Sequence, residues 1–456
     1  MERVSQYPYH LARLVAARLK RERGQSPSET VLARLLETLY FASLKTDEGR
    51  QIVCTVNFVD RNQPDVWPAT RPPASRWVHV PFDRPLPLDV RNLTKLARAA
   101  DPAVSSLTVY ADRKGKLFIW GLVDQEPRHS DRITLDTDVE PTRPGLFHVT
   151  INGIGHVSVY HRYSLIGSLS LNALVEAYHD VLWTGPIHDT LCRFLRGYLE
   201  SHPELFFAQC DLPDRDRALR ELLLRWLNSL CRILVNIQHY HHGGGLLITP
   251  HESFEGLNIK YRLRYDRLVS ALVGMIRAYH RCGQAPSPAE PSASEGDGRR
   301  AAPLSAASLL HELEQRKNEV LGVNRFIASL ACVDGVVLLD RSMAVYGFGV
   351  ELRTDNRVSE VHIAGDTLAS PARLRAVELT QFGTRHRAMM RYCDQHPGTV
   401  GFVVSQDGDI QAMTRVAEQL VLWENIDVQL AFRGEEWLEG QAHATPVLWR
   451  LNARPD

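Results

Sequence analysis

The feature that most constrains the fold of this chain is a segment without large apolar side chains, residues 283–303. It is rich in Pro, Ser, Ala, Glu and Gly, and such a composition cannot bury enough surface to offset the conformational entropy that is lost on folding. The segment therefore predicts a flexible linker. We expect an α+β domain at 1–135, a second α+β part at 136–282 and a further domain at 304–456.

The composition is that of an ordinary globular protein. Of 456 residues, 44% are apolar and 23% are charged, and Lys plus Arg and Asp plus Glu number 53 each. A formal net charge of zero argues against a general nucleic-acid-binding protein. No apolar run is long enough to span a membrane, and the first residues lack the apolar core of a signal peptide. We therefore predict a cytoplasmic protein without nucleic-acid or membrane partners.

Hydrophobic periodicity predicts mixed secondary structure on both sides of residues 283–303. In the N-terminal region it predicts two helices within 8–45, a hairpin within 106–123, a hairpin turn at Asn152-Gly153, and helices at about 171–200 and 216–241. In the C-terminal region it predicts strands at 334–340, 344–350, 400–404 and 426–431, and helices from 385 and near 412–420. The fold class is therefore α/β, with a C-terminal mixed sheet surrounded by helices after an α+β N-terminal region.

A single carboxylate, Asp334, interrupts the apolar run 331–339. This run is typical of a buried strand, and a charge in such a strand needs a metal ion, an arginine or a reacting group as its partner. The alternative is a turn-forming Asp-Gly pair between two strands. We favour the buried strand, because the apolar residues continue without the polar break that a turn needs.

A second candidate site is Gly383-Thr384-Arg385-His386-Arg387, a glycine followed by the predicted helix. With Thr384 as N-cap, the free N–H groups of the first turn attract an anion, and the helix dipole adds to this attraction. The two guanidinium groups are suited to bidentate hydrogen bonds with phosphate. The segment therefore predicts a polyphosphate site; the alternative is a solvated cluster at the start of a helix.

The histidine-rich segment His239-Tyr240-His241-His242 precedes three glycines, Gly243–Gly245. Adjacent histidines on a helix cannot all face one ion, so the pattern indicates the end of a helix rather than a metal site. A ligand role for the three glycines stays as an alternative.

Asp334-Gly335-Val336, the segment 347–352 and the motif 383–387 together resemble the diadenylate cyclase domain family, in which an Asp-Gly-Ala motif precedes Gly-Thr-Arg-His-Arg and a later Ser-Glu-Glu-like segment. Here Ser405-Gln406-Asp407 follows the predicted strand 400–404. Members of the family condense two ATP into cyclic di-AMP and two pyrophosphates with a divalent metal. Residues 117–125 resemble the sensor region found ahead of some of these domains, which implies that 1–135 and 136–282 sense an unidentified ligand.

The resemblance implies a role for each matching residue. Asp334, Arg385, His386 and Arg387 would be catalytic, and Asp334 and Asp407 would bind Mg²⁺ or Mn²⁺. Nucleotide-binding positions would be Gly335, Gly347, Val350, Leu352, Gly383, Thr384 and Ser405. Two ATP molecules must face each other to form the ring, which implies a homodimer or a higher homo-oligomer.

The chain departs from the family pattern in three places. Val336 replaces the alanine of the first motif, and the segment 353–381 is longer than in compact members, but neither change removes a reacting group. Gln406 stands where the third motif has a carboxylate, and this change keeps an alternative open. The alternative is a weak or inactive cyclase-like module that binds ATP or cyclic di-AMP as a sensor. A third possibility is an interaction protein in which Arg385 and Arg387 only pair with acids.

Overall fold

The computed structural model describes residues 5–21, 27–59, 78–100, 105–124, 147–161, 164–175, 179–202, 215–240, 242–250, 256–284, 306–354, 358–406, 408–426 and 428. The chain divides into two compact units, Met1–Tyr178 and His179–Asp456. Among the described residues, no helix is long and apolar enough to cross a membrane.

The described part of the first unit contains three helices and ten strands. The helices are α1 Pro8–Arg21, α2 Glu29–Ser43 and α3 Val90–Ala97. The strands are β1 Thr46–Asp47, β2 Arg50–Gln51, β3 Cys54–Phe58, β4 Val78–Pro87, β5 Ser105–Ala111, β6 Leu117–Asp124, β7 His148–Gly153, β8 His156–His161, β9 Ser164–Ser170 and β10 Ala173–Val175. Eight of the strands form one sheet in the order β10-β9-β8-β7-β3-β5-β6-β4, whereas β1 and β2 pair with each other.

Helix α2 packs on this sheet through a stripe of buried leucines. The Ser28 hydroxyl accepts the Val31 N–H at the start of the helix, and Leu32, Leu35, Leu36 and Leu39 recur at helical spacing and are at most 1% exposed. The two predicted helices within 8–45 are thus confirmed as α1 and α2, and the predicted hairpin within 106–123 is β5–β6. The second hairpin is β7–β8, but its turn lies at 154–155, one residue pair after the predicted Asn152-Gly153.

The described part of the second unit contains five helices and nine strands. The helices are α4 Pro186–Ser201, α5 Arg215–His239, α6 Arg267–Gln284, α7 Ala306–Leu330 and α8 Thr384–Gln395. The strands are β11 Gly244–Ile248, β12 Leu257–Tyr265, β13 Val336–Leu339, β14 Val345–Leu352, β15 Glu360–Ala364, β16 Leu374–Glu378, β17 Val400–Val404, β18 Ile410–Val416 and β19 Gln419–Trp423. They form one mixed sheet in the order β12-β14-β13-β11-β17-β18-β19-β15-β16, which confirms the predicted fold class.

The central strands of this sheet are buried on both faces, because successive side chains of a strand point to opposite sides. Leu246 and Phe402 belong to the core that includes residues of α4–α7, whereas Leu247 and Val403 belong to the core that includes Met389 of α8. Burial on both faces explains why these strands read as continuous apolar runs rather than as alternating ones.

Strand β11 lies at the centre of the sheet, parallel to β13 and antiparallel to β17. The predicted assignment of residues 136–282 to the N-terminal region therefore differs from the structure, which divides this segment between the two units at 178/179. Helices α6 and α7 flank the predicted linker, yet they belong to the same unit and are joined by ion pairs between Arg267 and Glu319 and between Arg281 and Glu312. From residue 285 onward the predicted linker lies outside the described residues.

Three predicted elements differ from the structure. The helix expected at 171–200 begins only at Pro186, because residues 173–175 form strand β10. The helix expected near 412–420 is instead the hairpin β18–β19, in which Ala412 pairs with Trp423 and Met413 pairs with Leu422. Of the strand expected at 426–431, only residues 426 and 428 are among those described, and Ile426 forms an isolated bridge with His179.

Candidate functional site

Helix α8 begins at Thr384, one residue earlier than predicted. Gly383 is the N-cap, with an extended backbone, and its carbonyl accepts the Arg387 N–H at 3.0 Å. Thr384 is therefore the first helical residue, and the prediction that it is the N-cap was wrong. No side chain caps this helix. The N–H groups of its first turn have no acceptor within the helix and are oriented to bind an anion.

Asp334 lies in a bend before β13, and its side chain is fully exposed. The prediction that this carboxylate is buried within a strand was therefore wrong, because the strand itself begins only at Val336. The expected arginine partner is nevertheless present: Asp334 Oδ1 lies 3.9 Å from Arg385 Nη2. The structure thus brings the two motifs together across 51 residues of sequence.

The bend that carries Asp334 depends on a close contact between two glycine backbones. Gly335 has φ +111°, and a Cβ atom there would lie 2.6 Å from the carbonyl carbon of Gly349. Gly349 itself has φ +62°. A Cβ at Gly347 would lie 2.4 Å from Ile259 Cγ2 of the neighbouring strand. These three glycines therefore allow strands β12, β13 and β14 to pack closely beside Asp334.

The segment 347–352, which contains the predicted nucleotide-binding residues Gly347, Val350 and Leu352, forms most of strand β14. Val350 is buried at 1% exposure and pairs with Val336 of β13, so its side chain belongs to the core. Leu352, at the end of the strand, lines a cleft of about 590 Å³ together with Arg353 and Thr354. The other side of this cleft is formed by helix α8, with Thr384, Arg387, Ala388 and Arg391.

This arginine cleft contains two residues that the motifs did not identify, Arg353 and Arg391. Arg391 lies one helical turn after Arg387, and this i, i+4 spacing is the signal by which the sequence could have revealed it. Among the described residues, the lining of the cleft has three cationic side chains and no acidic one. The Nε of Arg391 is buried and has no hydrogen-bond partner among the described residues. Such a cleft is suited to a ligand with several negative charges.

The turn between β17 and β18 carries the third predicted motif. The Ser405 hydroxyl accepts the Asp409 N–H at 2.9 Å, and the Ser405 N–H donates to the Asp409 carbonyl at 2.8 Å. Ser405 therefore shapes this turn, and Gln406 within it is exposed. Asp407, the predicted second metal ligand, lies outside the described residues.

The glycine run 243–245 packs against both motifs. Gly243 has φ +64°, and a Cβ there would lie 3.0 Å from the Val404 carbonyl oxygen and 3.3 Å from Arg385 Nη1. A Cβ at Gly245 would lie 2.7 Å from Val336 Cγ1. The run therefore lets β11 enter the sheet beside Arg385.

His386 has a lower pKa than a free histidine, so its ring stays neutral at lower pH. Burial lowers its pKa, and the neighbouring Arg385 charge lowers it further. Its ring also lies beside Phe382, with 6.5 Å between the ring centroids. The charge at the start of α8 therefore comes from the arginines, and His386 offers hydrogen bonds.

Carboxylates for a metal ion are few at this site. No group of three or more His, Cys, Asp or Glu that could hold a metal occurs among the residues that the structure describes. Among the described residues, Asp334 supplies an accessible carboxylate beside Arg385. This donor fits Mg²⁺, which is commonly bound through one or two carboxylates together with substrate phosphates and water.

Comparison with known families identifies a region of the other unit. Residues 21–124 match the family model of the probable sensor domain DACNV. The matched region runs from the residues before α2 to the end of β6. A DACNV sensor domain is therefore present in the first unit. The chain has no match among curated proteins.

Proposed function

We propose that the second unit is a diadenylate cyclase that condenses two ATP into cyclic di-AMP and two pyrophosphates. The observation that carries this proposal is the exposed Asp334 carboxylate 3.9 Å from Arg385, at a helix start whose neighbouring cleft has only cationic and uncharged side chains among its described lining residues. The DACNV domain supports the proposal, because it is a sensor region of the kind that precedes diadenylate cyclase domains.

In this mechanism the start of α8 binds the triphosphate. The N–H groups of its first turn and the guanidinium groups of Arg385 and Arg387 donate to phosphate oxygens. These groups are fixed before the reaction begins, so they stabilise the negative charge that develops on the departing pyrophosphate. His386, in its neutral form, donates a further hydrogen bond.

Each of the two reaction steps exchanges one bond at an α-phosphorus. The 3′-oxygen of one ATP forms a bond to the α-phosphorus of the other, and the bond to the bridging oxygen of pyrophosphate breaks. The hydroxyl proton leaves to the Asp334 carboxylate. Asp334 would also hold Mg²⁺ or Mn²⁺ together with the substrate phosphates, and such an ion, when bound, lowers the charge of the phosphates and the pKa of the hydroxyl.

A ring requires two such sites face to face. One cleft holds one ATP, so the active unit is a two-fold homodimer in which each protomer supplies half of the site. The complete exposure of the Asp334 side chain is consistent with a position at such an interface.

The test is to incubate the purified chain with ATP and Mg²⁺ or Mn²⁺ and to separate the nucleotides by chromatography. We expect cyclic di-AMP from the wild type and from Glu360→Gln, which removes one exposed charge on β15, but not from Asp334→Asn. Circular dichroism and size-exclusion chromatography establish that the variants are folded and show their oligomeric state.

The alternatives give different results. ATP binding without turnover, lost in Arg387→Ala, would replace the cyclase with a nucleotide-binding module. If ATP does not bind at all, the arginines serve only as partners for acids. An Asp334→Asn variant that makes cyclic di-AMP at the wild-type rate would remove this residue from the mechanism.

A further inference from the structure

The DACNV domain contains a cleft of its own, with a volume of about 520 Å³, and every residue that lines it lies within the matched range 21–124. The cleft lies between helix α2, the start of α3 and the start of β6. Its volume falls within the range of about 300–1,000 Å³ that is usual for sites that bind small molecules.

The floor of this sensor cleft is apolar. Leu88 and Leu117 are buried beneath it, whereas Phe41 on α2 lines it with 48% of its surface exposed. Phe118 lines it as well and is stacked on Tyr110, with 5.6 Å between ring centroids and 22° between the planes. Successive side chains of a strand point to opposite faces, so the Phe118 ring lies on the face of β6 opposite to Leu117. A large apolar side chain that remains exposed inside a concave site marks a contact surface for an apolar ligand.

The rim of the sensor cleft is charged. Arg34 and Lys116 contribute two cations, and Glu37 contributes one carboxylate. Arg34 donates to the Gly115 carbonyl at 2.9 Å, which ties α2 to the turn before β6. In that turn the Asp112 carboxylate accepts the Lys116 N–H at 2.8 Å. The backbone that carries Lys116 is therefore fixed before any ligand arrives.

We propose that this cleft is the ligand site of the sensor domain and that it binds a small aromatic monoanion. The aromatic ring would lie on Phe41 above Leu88 and Leu117, and the anionic group would face Arg34 and Lys116. A polyphosphate suits the cleft poorly, because Glu37 places a negative charge on the rim and the apolar side chains of the floor offer no hydrogen bonds. A neutral aromatic compound would form no ion pair with either cation.

The experiment measures binding of 1-naphthoate to the full chain by isothermal titration calorimetry. The probe has two fused rings and one carboxylate, and 1-naphthamide is its neutral analogue of the same shape. We expect naphthoate to bind at least about tenfold more tightly than the amide, because a charge-assisted pair contributes about that factor. ATP is not expected to displace naphthoate.

Two lysines of the same turn provide a matched pair of variants. Lys116→Gln is expected to lower naphthoate affinity about tenfold, whereas Lys114→Gln, which lies outside the cleft lining, is expected to change it by less than about twofold. Phe41→Ser tests the aromatic wall and is expected to weaken both probes.

Several results would overturn the proposal. Naphthoate that fails to bind at about 1 mM excludes an aromatic monoanion as the ligand class. Equal affinity for naphthoate and its amide, or equal losses in the two lysine variants, excludes the proposed charge recognition. Binding that is unchanged in Phe41→Ser places the ligand elsewhere.

Discussion

The two clefts of this chain differ in the residues that line them beside their cations. The described lining of the arginine cleft in the second unit has three arginines, two threonines and no acid, and its apolar residues are Leu352 and Ala388. The described lining of the sensor cleft in the first unit has two cations and one acid above a floor of Leu88 and Leu117, with the Phe41 ring beside it. Charge alone can select a ligand in the arginine cleft, whereas the sensor cleft also requires a ligand with an apolar body. The comparison therefore assigns a polyanion to one cleft and a monoanion to the other.

The largest expected effect is the loss of an arginine from the reacting site. Arg387→Ala is expected to slow cyclic di-AMP formation by about 10²–10³-fold, because one donor to the developing charge disappears. Naphthoate binding to the sensor cleft is expected to stay unchanged in the same variant. Arg375→Ala, which removes an exposed arginine of β16 outside the cleft, is the control. If Arg375→Ala and Arg387→Ala lose activity equally, the arginine cleft has no special role in the reaction.

A carboxylate can be introduced into the arginine cleft to imitate Glu37 of the sensor cleft. Ala388→Glu places it on helix α8 among the arginines, where it competes with phosphate for them. We expect ATP to bind at least about tenfold more weakly than to Ala388→Gln, a neutral variant of the same size. Titration calorimetry measures both. Equal affinity for ATP would mean that the triphosphate does not contact this part of the cleft.

The glycine beside Asp334 and the glycine beside the sensor cleft differ in how well they tolerate a side chain. Gly335→Ala is expected to lower the free energy of unfolding by about 2–4 kcal/mol, because φ +111° is unfavourable for alanine and the Cβ would meet the Gly349 backbone. Gly115→Ala, beside the sensor cleft at φ +73°, would meet only side-chain atoms at 3.5 Å or more. Gly115→Ala is therefore expected to lower the free energy of unfolding by only about 1 kcal/mol.

Gly322→Ala in helix α7 is the control for these variants, since its Cβ would meet no atom within 4 Å. It is expected to raise the free energy of unfolding by about 0.5–1 kcal/mol. Urea denaturation measures all three variants. If Gly335→Ala is no less stable than Gly115→Ala, the close contact beside Asp334 is not a constraint on the fold.

A smaller effect is expected from an arginine that lies outside every motif. Arg391→Gln is expected to weaken ATP binding about tenfold, since one of three cations in the cleft is lost while the helix keeps a good helix former. Arg353→Gln tests the opposite wall in the same way. Neither change is expected to alter naphthoate binding. If both variants bind ATP with wild-type affinity, the nucleotide contacts only the motif residues.

The sequence allowed accurate predictions where the evidence was local. The hairpin β5–β6 was predicted because its turn, held by Asp112, lies between two alternating strands. The proximity of Asp334 and Arg385 was expected from their motifs. The exposure of Asp334 was missed, because an apolar run does not reveal that its strand begins two residues later, at Val336.

Other features depended on contacts between distant parts of the chain. Strand β11 is short, and its partners β13 and β17 follow it by about 90 and 155 residues, so nothing local placed it in the centre of the sheet. Arg353 and Arg391 form one cleft only because the end of β14 meets helix α8. Such cationic clefts require the fold before they can be recognised.

The smallest expected effect concerns pH and the charge around His386. Its pKa is lowered from 6.5, by burial first and by the Arg385 charge second, so the folded protein binds this proton less readily than the unfolded chain. The stability that a neutral His386 contributes is therefore complete above pH 6.5 and is lost as the pH falls below that value. His386→Gln is expected to reduce the loss of stability between about pH 7.5 and 5.5.

Part of that loss should remain in the variant, because burial also lowers the pKa of His79, His179 and His188. The matched control is His242→Gln, which replaces an exposed histidine of the same unit. Urea denaturation across this pH range measures the three proteins. A His386→Gln variant with the same pH dependence as wild type would mean that neither burial nor the Arg385 charge lowers the pKa of this ring.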